Sequence, residues 1–237
     1  YWGSTMLPFT DREMRGWPIS KETLFPYYQK IAKLVGLAAR PDELSEYFFD
    51  DFSDRPAIRS VFMLSRLNDS VNAQKSQGEY KIISGLNRCG VETRQEAKNH
   101  CVYCGQCLAG CFRDSIYSTR FTIKQYLKDP RVKYKKDKVV RVRKKENLFE
   151  IQTQDGQIEG GFLKIFLCAG CPGSTEIVMR SFGLRDKLKM ADNAVYVFPI
   201  LYFGRRPKEA REKKYLSLCN LIFACVPKDK NEHFAQA

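Results

Sequence analysis

Four cysteines lie within eleven residues, at a spacing that suits the binding of a metal cluster. Cys101, Cys104, Cys107 and Cys111 follow the pattern C-x2-C-x2-C-x3-C. Bacterial ferredoxins use this ligand spacing, in which successive thiolates converge on one iron–sulfur cluster. Glycines at 105 and 110 permit the tight turns that such convergence requires. The pattern predicts converging thiols, and an iron–sulfur cluster is its first interpretation.

Other interpretations of this segment stay open. The ferredoxin run continues with proline, where this chain has Phe112. There is a single run, so one cluster would take its fourth thiolate from Cys111 or from a remote cysteine: Cys89, Cys168 or Cys171. Three thiolates alone would suit a three-iron cluster. Zinc usually takes two separated pairs, disulfides in such short loops would be strained, and reduced cysteines could simply pack the loop.

A second cysteine pair has the spacing of redox motifs. Cys168-Ala-Gly-Cys171 is a C-x-x-C sequence. It also lies where an apolar strand would meet a turn, a place that favours small apolar residues. A redox pair and plain packing therefore both remain interpretations. Cys219 and Cys225 lie in apolar, strand-like sequence and are expected in the core.

Composition and charge bound the class of protein. The 237 residues are 43% apolar and 28% charged, as in folded globular proteins. The net charge of +13 is concentrated in residues 124–145 and 205–214, and alternation with valines in the first of these runs indicates a solvated strand face. There is no recognised nucleic-acid motif, so no nucleic-acid partner is predicted. The longest apolar run, 194–203, is about half of a membrane span, and a cytoplasmic protein without a membrane span is expected.

The elements that would position these cysteines begin with a helix. Ser20 is a candidate N-cap, Gly36 is a candidate C-terminal glycine, and the apolar residues between them have helical spacing: Leu24, Tyr28, Ile31, Leu34 and Val35. After the cysteine cluster, residues 122–128 fit a short helix that Asp129-Pro130 stops.

The pattern then changes to strands. Residues 138–145 and 148–153 alternate, Asp155-Gly156 indicates a hairpin turn, and a third strand is expected after it. Residues 162–169 are almost continuously apolar, which predicts a strand buried on both faces. Gly170 would end that strand, and residues 173–175 would open a helix ending at Gly183. Strand-like runs follow at 194–203 and 216–226, so the predicted fold class is mixed α/β.

Five segments, in this order along the chain, have sequences that occur together in one enzyme family. They are Trp2-Gly3 with Pro8-Phe9, residues 16–20 with 24–28, the cysteine cluster with residues 118–127, Val140-Arg-Val142, and residues 168–174 with Ser181-Phe182-Gly183. Together they resemble the glucose–methanol–choline (GMC) family of FAD-dependent oxidoreductases. The resemblance covers most of residues 1–186.

The resemblance implies a fold and a cofactor. Residues 1–186 would be part of an FAD-binding domain that includes a β-meander and the cysteine cluster at 101–111, and residues 187–237 would begin an antiparallel-sheet substrate domain. The expected contacts to FAD come from three places: Trp2, Gly3 and Ser4; the main chain of Val140; and the turn with Ala169, Gly170 and Ser174. Tyr1 stands where relatives with covalent flavin have histidine, so non-covalent FAD is expected.

The resemblance also implies an activity. The enzyme would transfer hydride from a CH–OH group of an alcohol, sugar or polyol to flavin, as a dehydrogenase whose cysteine cluster relays electrons to an acceptor protein. The family's G-x-G-x-x-G is missing, and neither His100 nor His233 matches its catalytic base. The chain is therefore expected to be an internal fragment, and it has no assigned catalytic residue. The alternatives are an iron–sulfur electron-transfer module without flavin and a structural or zinc-binding protein.

Overall fold

The computed structural model describes Phe9 and residues 14–45, 54–74, 78, 80–190, 216–227 and 235–236. They form four helices, six strands and a short 3-10 turn: α1 (Lys21–Val35), α2 (Phe62–Ala73), β1 (Tyr80–Leu86), the turn at Cys107–Ala109, α3 (Thr119–Tyr126), β2 (Val139–Lys145), β3 (Leu148–Thr153), β4 (Ile158–Phe162), α4 (Gly170–Phe182), β5 (Leu221–Pro227) and β6 (Ala235–Gln236). In this part of the chain no helix is long and apolar enough to cross a membrane.

The chain divides into two compact units. Unit 1 consists of Tyr1–Thr122 and Phe203–Ala237, and unit 2 of Ile123–Tyr202. Both contain helices and an antiparallel sheet, which confirms the mixed α/β class. The expected division into residues 1–186 and 187–237 stays a prediction, and the strand expected at 194–203 lies outside the described residues.

Helix α1 confirms the predicted helix at both ends. It begins directly after Ser20, whose backbone is extended, although the Ser20 side chain makes no capping hydrogen bond. It ends at Gly36, which has φ = 68° and donates its N–H to the Ala32 carbonyl at 2.8 Å. This left-handed conformation strains residues with a Cβ, so the glycine explains where the helix stops.

The sheet of unit 1 joins distant parts of the sequence. Strand β5 pairs antiparallel with β1, from Tyr80↔Pro227 to Leu86↔Leu221, and β6 pairs with the other edge of β5. The strand predicted at 216–226 is present as β5, but it begins later, at Leu221. Helix α2 lies against the free edge of β1 at Ser84. There the Asn72 side chain accepts from the Ser84 N–H at 2.9 Å and donates to the Ser84 carbonyl at 3.0 Å.

Unit 2 contains the predicted meander. Strands β2, β3 and β4 are neighbours in sequence order and antiparallel. The turn between β3 and β4 contains Gly156 at φ = 90°, as the Asp155-Gly156 pair predicts. Strands β2 and β3 lie within a residue of their expected positions, and β4 follows the turn as expected, because alternation and a local turn signal specify this segment.

The segment after β4 differs from its prediction. The apolar pattern of residues 162–169 predicts a strand buried on both faces, and this prediction is wrong. Strand β4 ends at Phe162, and the following residues are irregular and mostly exposed, with Leu163 at 78% and Phe166 at 82% exposure. Burial on both faces needs strands alongside and layers above and below. In the described part of unit 2 no strand pairs with this segment.

Two helices begin earlier than predicted. Helix α3 covers Thr119–Tyr126, two or three residues ahead of the expected 122–128, and turns carry the chain on to Asp129. Helix α4 begins at Gly170, three residues ahead of the expected start, and ends as predicted at Gly183, with φ = 67°. Ser181 ties α4 to the meander, because its hydroxyl oxygen accepts the Val142 N–H at 2.8 Å.

Candidate functional site

The loop that carries the four clustered cysteines, here called the cysteine loop (residues 101–111), is anchored in unit 1 on Glu92. The Cys101 N–H donates to the Glu92 carbonyl at 2.7 Å, and the Glu92 N–H donates to the Ser115 carbonyl at 2.8 Å. The segments on either side of the loop are therefore both hydrogen-bonded to the backbone of Glu92. Within it, Tyr103, Gly105 and Gly110 have positive φ angles of 55°, 74° and 115°, so the chain turns sharply between successive cysteines.

The four cysteines of this loop lie in different surroundings. Cys107 is 7% exposed and packs in a core with Cys89, Tyr103 and two distant leucines, and Cys101 packs against that core. Cys104 is exposed, and Cys111 is half-buried. Among the described residues, no three or more His, Cys, Asp or Glu side chains form a group that could hold a metal ion.

The four thiols as placed here do not form a site for an iron–sulfur cluster or a zinc ion. An iron–sulfur cluster or a zinc ion needs three or four ligand atoms facing one point, and in this structure Cys101, Cys104, Cys107 and Cys111 do not provide them. All four are free thiols here. The metal site therefore stays a prediction from cysteine spacing, and no chemical step is derived through it.

Cys111 is the thiol that its surroundings favour as an anion. Its Sγ accepts the Ser115 N–H at 3.3 Å. Partial burial would raise the pKa of this thiol, but hydrogen bonds from the backbone amides of Ile116, Ser115 and Arg113 outweigh that effect and leave the pKa below its ordinary value. Cys111 also lines a cavity of about 780 Å³ in unit 1. No sequence motif marks Ser115, so sequence reasoning missed this contact.

The thiols of Cys89 and Cys101 behave in the opposite way. Burial, with smaller contributions from Cys219 and Cys107, raises the pKa of the Cys89 thiol to about 12. Burial also raises the pKa of Cys101. The cavity wall therefore includes, besides Cys107, one thiol with a lowered pKa, Cys111, and one that stays protonated at neutral pH, Cys89.

Alkylation should separate these thiols by pH. As the pH is lowered from 9 to 6, we expect the iodoacetamide reaction of Cys111 to persist to lower pH than that of Cys101, because the thiolate is the reacting species. Isotope-coded alkylation followed by fragment mass spectrometry of the tryptic peptide 99–113 reads both sites in one sample. If the reaction of Cys101 persisted to lower pH than that of Cys111, the hydrogen bonds to the Cys111 thiol would not explain its reactivity.

The second candidate site is the turn that opens α4 in unit 2. The Ala169 N–H donates to the Ser174 hydroxyl at 3.2 Å, which folds the turn back onto the first part of the helix. Gly170 has φ = 74°, and apart from its chain neighbours and its own helix backbone no atom lies within 4 Å of the position that a Cβ would occupy. The structure thus brings Ala169, Gly170 and Ser174 together in an exposed turn, and leaves open space in front of the glycine.

The remaining residues expected to contact FAD are placed in part. Val140 is half-buried on β2, and the β2–β3 register shifts between Val139 and Arg141. This irregularity lies at the residue expected to contact adenine through its main chain. Trp2, Gly3 and Ser4 lie outside the described residues. The open turn and the first amides of α4 fit the approach of an anionic cofactor, because helix N-termini favour negative charge.

The comparisons with known proteins add no relative. No protein-family model, curated protein or solved structure matches the chain. The resemblance to the GMC family is carried by the five sequence segments.

Proposed function

We propose that this chain supplies part of the cofactor-binding region of an FAD-dependent oxidoreductase of the GMC type, which oxidises a CH–OH group of a small alcohol, sugar or polyol. The observation that carries the proposal is the turn at Ala169–Gly170, which leads into α4 beside an antiparallel meander. The sequence segment that resembles the family forms this turn, and its glycine has open space in front of it.

The turn is suited to a closely approaching ligand. A side chain at position 170 would project into the open space, and φ = 74° would strain any residue with a Cβ. The hydrogen bond from Ala169 to Ser174 fixes the turn before a ligand arrives. A preformed turn loses less conformational entropy on binding than a mobile one. Glycine at position 170 therefore permits the left-handed backbone conformation and also leaves the backbone accessible to a ligand.

The residues of the chain would bind and orient the cofactor. FAD, when bound, supplies the acceptor for the hydride that leaves the alcohol carbon. The amides at the start of α4 favour a negatively charged group, and the irregular strand at Val140 offers main-chain contacts. No residue of the chain is assigned as the base. The His100 ring is bound within its own loop, with Nδ1 2.8 Å from the Ala97 carbonyl oxygen, and His233 lies outside the described residues.

A pair of glycine variants tests the proposal. In the full-length natural protein, we expect Gly170→Ala to weaken FAD binding about tenfold, which corresponds to about 1.4 kcal/mol. The variant Gly183→Ala is the matched control. Gly183 lies at the other end of α4, has nearly the same φ and has no atom within 4 Å of its Cβ position. The control should carry the same backbone strain and keep its flavin.

The measurement is FAD released by denaturation, quantified per chain, together with titration of the flavin-free protein with FAD. Full-length protein that contains no flavin and binds none when FAD is added would overturn the proposal. Equal losses of FAD in both variants would show that strain, and not access to the turn, explains the effect of Gly170→Ala.

A further inference from the structure

We propose that Cys168 and Cys171 form a reversible disulfide that exchanges with small-molecule thiols and disulfides of the glutathione class. Both thiols are exposed and free. Cys168 comes just before the bend at Ala169, and Cys171 lies in the first turn of α4. The two side chains thus flank the turn, and solvent reaches both of them.

The local backbone bends between these two cysteines, as a disulfide at this spacing requires. In an extended strand, residues three apart are separated by about 10 Å, whereas bridged cysteines need Cα atoms about 4.4–6.8 Å apart. Here the chain is not extended. It bends at Ala169 and continues through Gly170 at φ = 74°. The Ala169 amide also bonds to Ser174 at 3.2 Å, so the residue after Cys168 is held against the start of the helix.

A second contact shows how closely this turn is folded. A Cβ built at Gly173 would lie 3.1 Å from the Ala169 Cβ, which is a tight approach. The glycine at 173 therefore lets the residues before the helix lie against its first turn. The chain bends between the cysteines, and no bulky side chain stands there, because only Ala169 and Gly170 separate them.

The other exposed cysteines are less suited to an internal bridge. Cys104 has Cys101 and Cys107 at the same sequence spacing, but Cys107 is buried and Cys101 packs against the same core. Cys219 is exposed and not in the core as its apolar sequence predicts, and its Sγ donates to the Leu221 carbonyl at 2.9 Å. Within the described residues, Cys168 and Cys171 are the one pair at C-x-x-C spacing in which both thiols are exposed.

The exchange is balanced in atoms and electrons. The thiolate of one cysteine attacks a sulfur of glutathione disulfide and releases one glutathione, which leaves a mixed disulfide on the protein. The second thiol attacks the protein sulfur of that mixed disulfide and releases the second glutathione. Two protein thiols are oxidised to one disulfide, and one glutathione disulfide is reduced to two glutathione molecules. The exchange itself requires no flavin.

The test is redox titration of the full chain in anaerobic mixtures of reduced and oxidised glutathione. After acid quenching, alkylation and trypsin digestion, the peptide 165–180 contains Cys168 and Cys171 and no other cysteine. As the oxidised fraction rises, we expect this peptide to become mainly a form that carries no alkyl group and is lighter by two hydrogen atoms.

Two variants sharpen the test. In Cys171→Ser the partner thiol is missing, so Cys168 should accumulate a single bound glutathione and no internal disulfide. In Cys219→Ser an exposed thiol elsewhere is removed, and the glutathione ratio at half-oxidation should stay within about twofold of the natural value. The proposal is overturned if both thiols stay alkylated at every ratio. It is equally overturned if the natural peptide carries two glutathiones, or if the bridge joins two chains.

Discussion

Replacement of Asp42 by alanine is expected to lower the free energy of unfolding by about 3–5 kcal/mol, because it breaks the ion pair that this carboxylate makes with a buried arginine. The Arg88 side chain is 3% exposed, and its guanidinium nitrogens lie 2.8 and 3.1 Å from the two Asp42 carboxylate oxygens. The same carboxylate accepts the backbone N–H groups of Leu44 at 2.9 Å and Leu86 at 2.8 Å. The substitution therefore removes four hydrogen bonds in one place.

The position of this carboxylate explains why one residue has so large an effect. Leu86 is the last residue of β1, so Asp42 connects the loop after α1 to the end of the strand that pairs with β5. The carboxylate also fits closely against the strand, because a Cβ at Gly85 would lie 2.5 Å from Asp42 Oδ2. A water molecule could not replace both the charge and the fit.

Denaturant unfolding followed by tryptophan fluorescence measures the change, since Trp2 and Trp17 both lie in the sequence of unit 1. The control is Arg120→Ala, which breaks the exposed Arg120–Asp114 pair and should cost at most about 1 kcal/mol. The double variant with Asp42→Ala and Arg88→Met should recover part of the loss, because it removes a buried cation that has lost the Asp42 carboxylate. A double variant as unstable as the single one would contradict this explanation.

The parts of the fold that were predictable have local signals. Helix α1 has apolar spacing and a terminal glycine, and the β2–β4 meander has alternation and an Asp-Gly turn, so short windows of sequence specify both. The β1–β5 pairing joins Leu86 to Leu221, and no local pattern encodes a partner so far along the chain. For residues 162–169 the apolar pattern indicates a preference for burial, but it does not supply the neighbouring strands that would bury them.

The cysteine loop also shows that local sequence spacing predicts only part of a site. Spacing predicts that four thiols return to one place, and the glycines do turn the chain between them. The direction of each thiol depends on contacts that spacing does not contain: Cys107 packs in the core with Leu216 and Leu218, and its N–H donates to the Ser217 hydroxyl at 3.0 Å. These residues lie more than a hundred positions further on. Their contacts place the thiols in separate surroundings.

Glu92→Gln should lower the free energy of unfolding by about 2–3 kcal/mol at pH 7, because it removes the charge from a nearly buried carboxylate with two cationic neighbours. Glu92 is 5% exposed. Arg94 binds both carboxylate oxygens, at 2.9 and 2.7 Å, and Arg55 lies 3.4 Å from Oε2. Arg94 is partly exposed, so solvent screening keeps the effect below that of Asp42.

The pKa of Glu92 determines how the stabilisation by this residue changes with pH. The hydrogen bond from Arg94 lowers the pKa of the Glu92 carboxyl, against the opposing effect of burial. A carboxyl with a lowered folded-state pKa stabilises the protein above its unfolded-state pKa, about 4.3, and this stabilisation is lost as the pH falls through the folded-state value. The difference in stability between the natural chain and the Glu92→Gln variant should therefore be full at pH 7 and shrink below about pH 4.

The matched control for Glu92→Gln is Glu176→Gln, which alters the exposed Glu176–Arg180 pair on α4 and should change the free energy of unfolding by no more than about 0.5 kcal/mol. Because Glu92 anchors both ends of the cysteine loop through its backbone, faster hydrogen exchange at the Cys101 amide should accompany the loss of stability in Glu92→Gln. A stability difference that stays constant from pH 7 to pH 3 would show that shape, and not the Glu92 charge, holds this anchor.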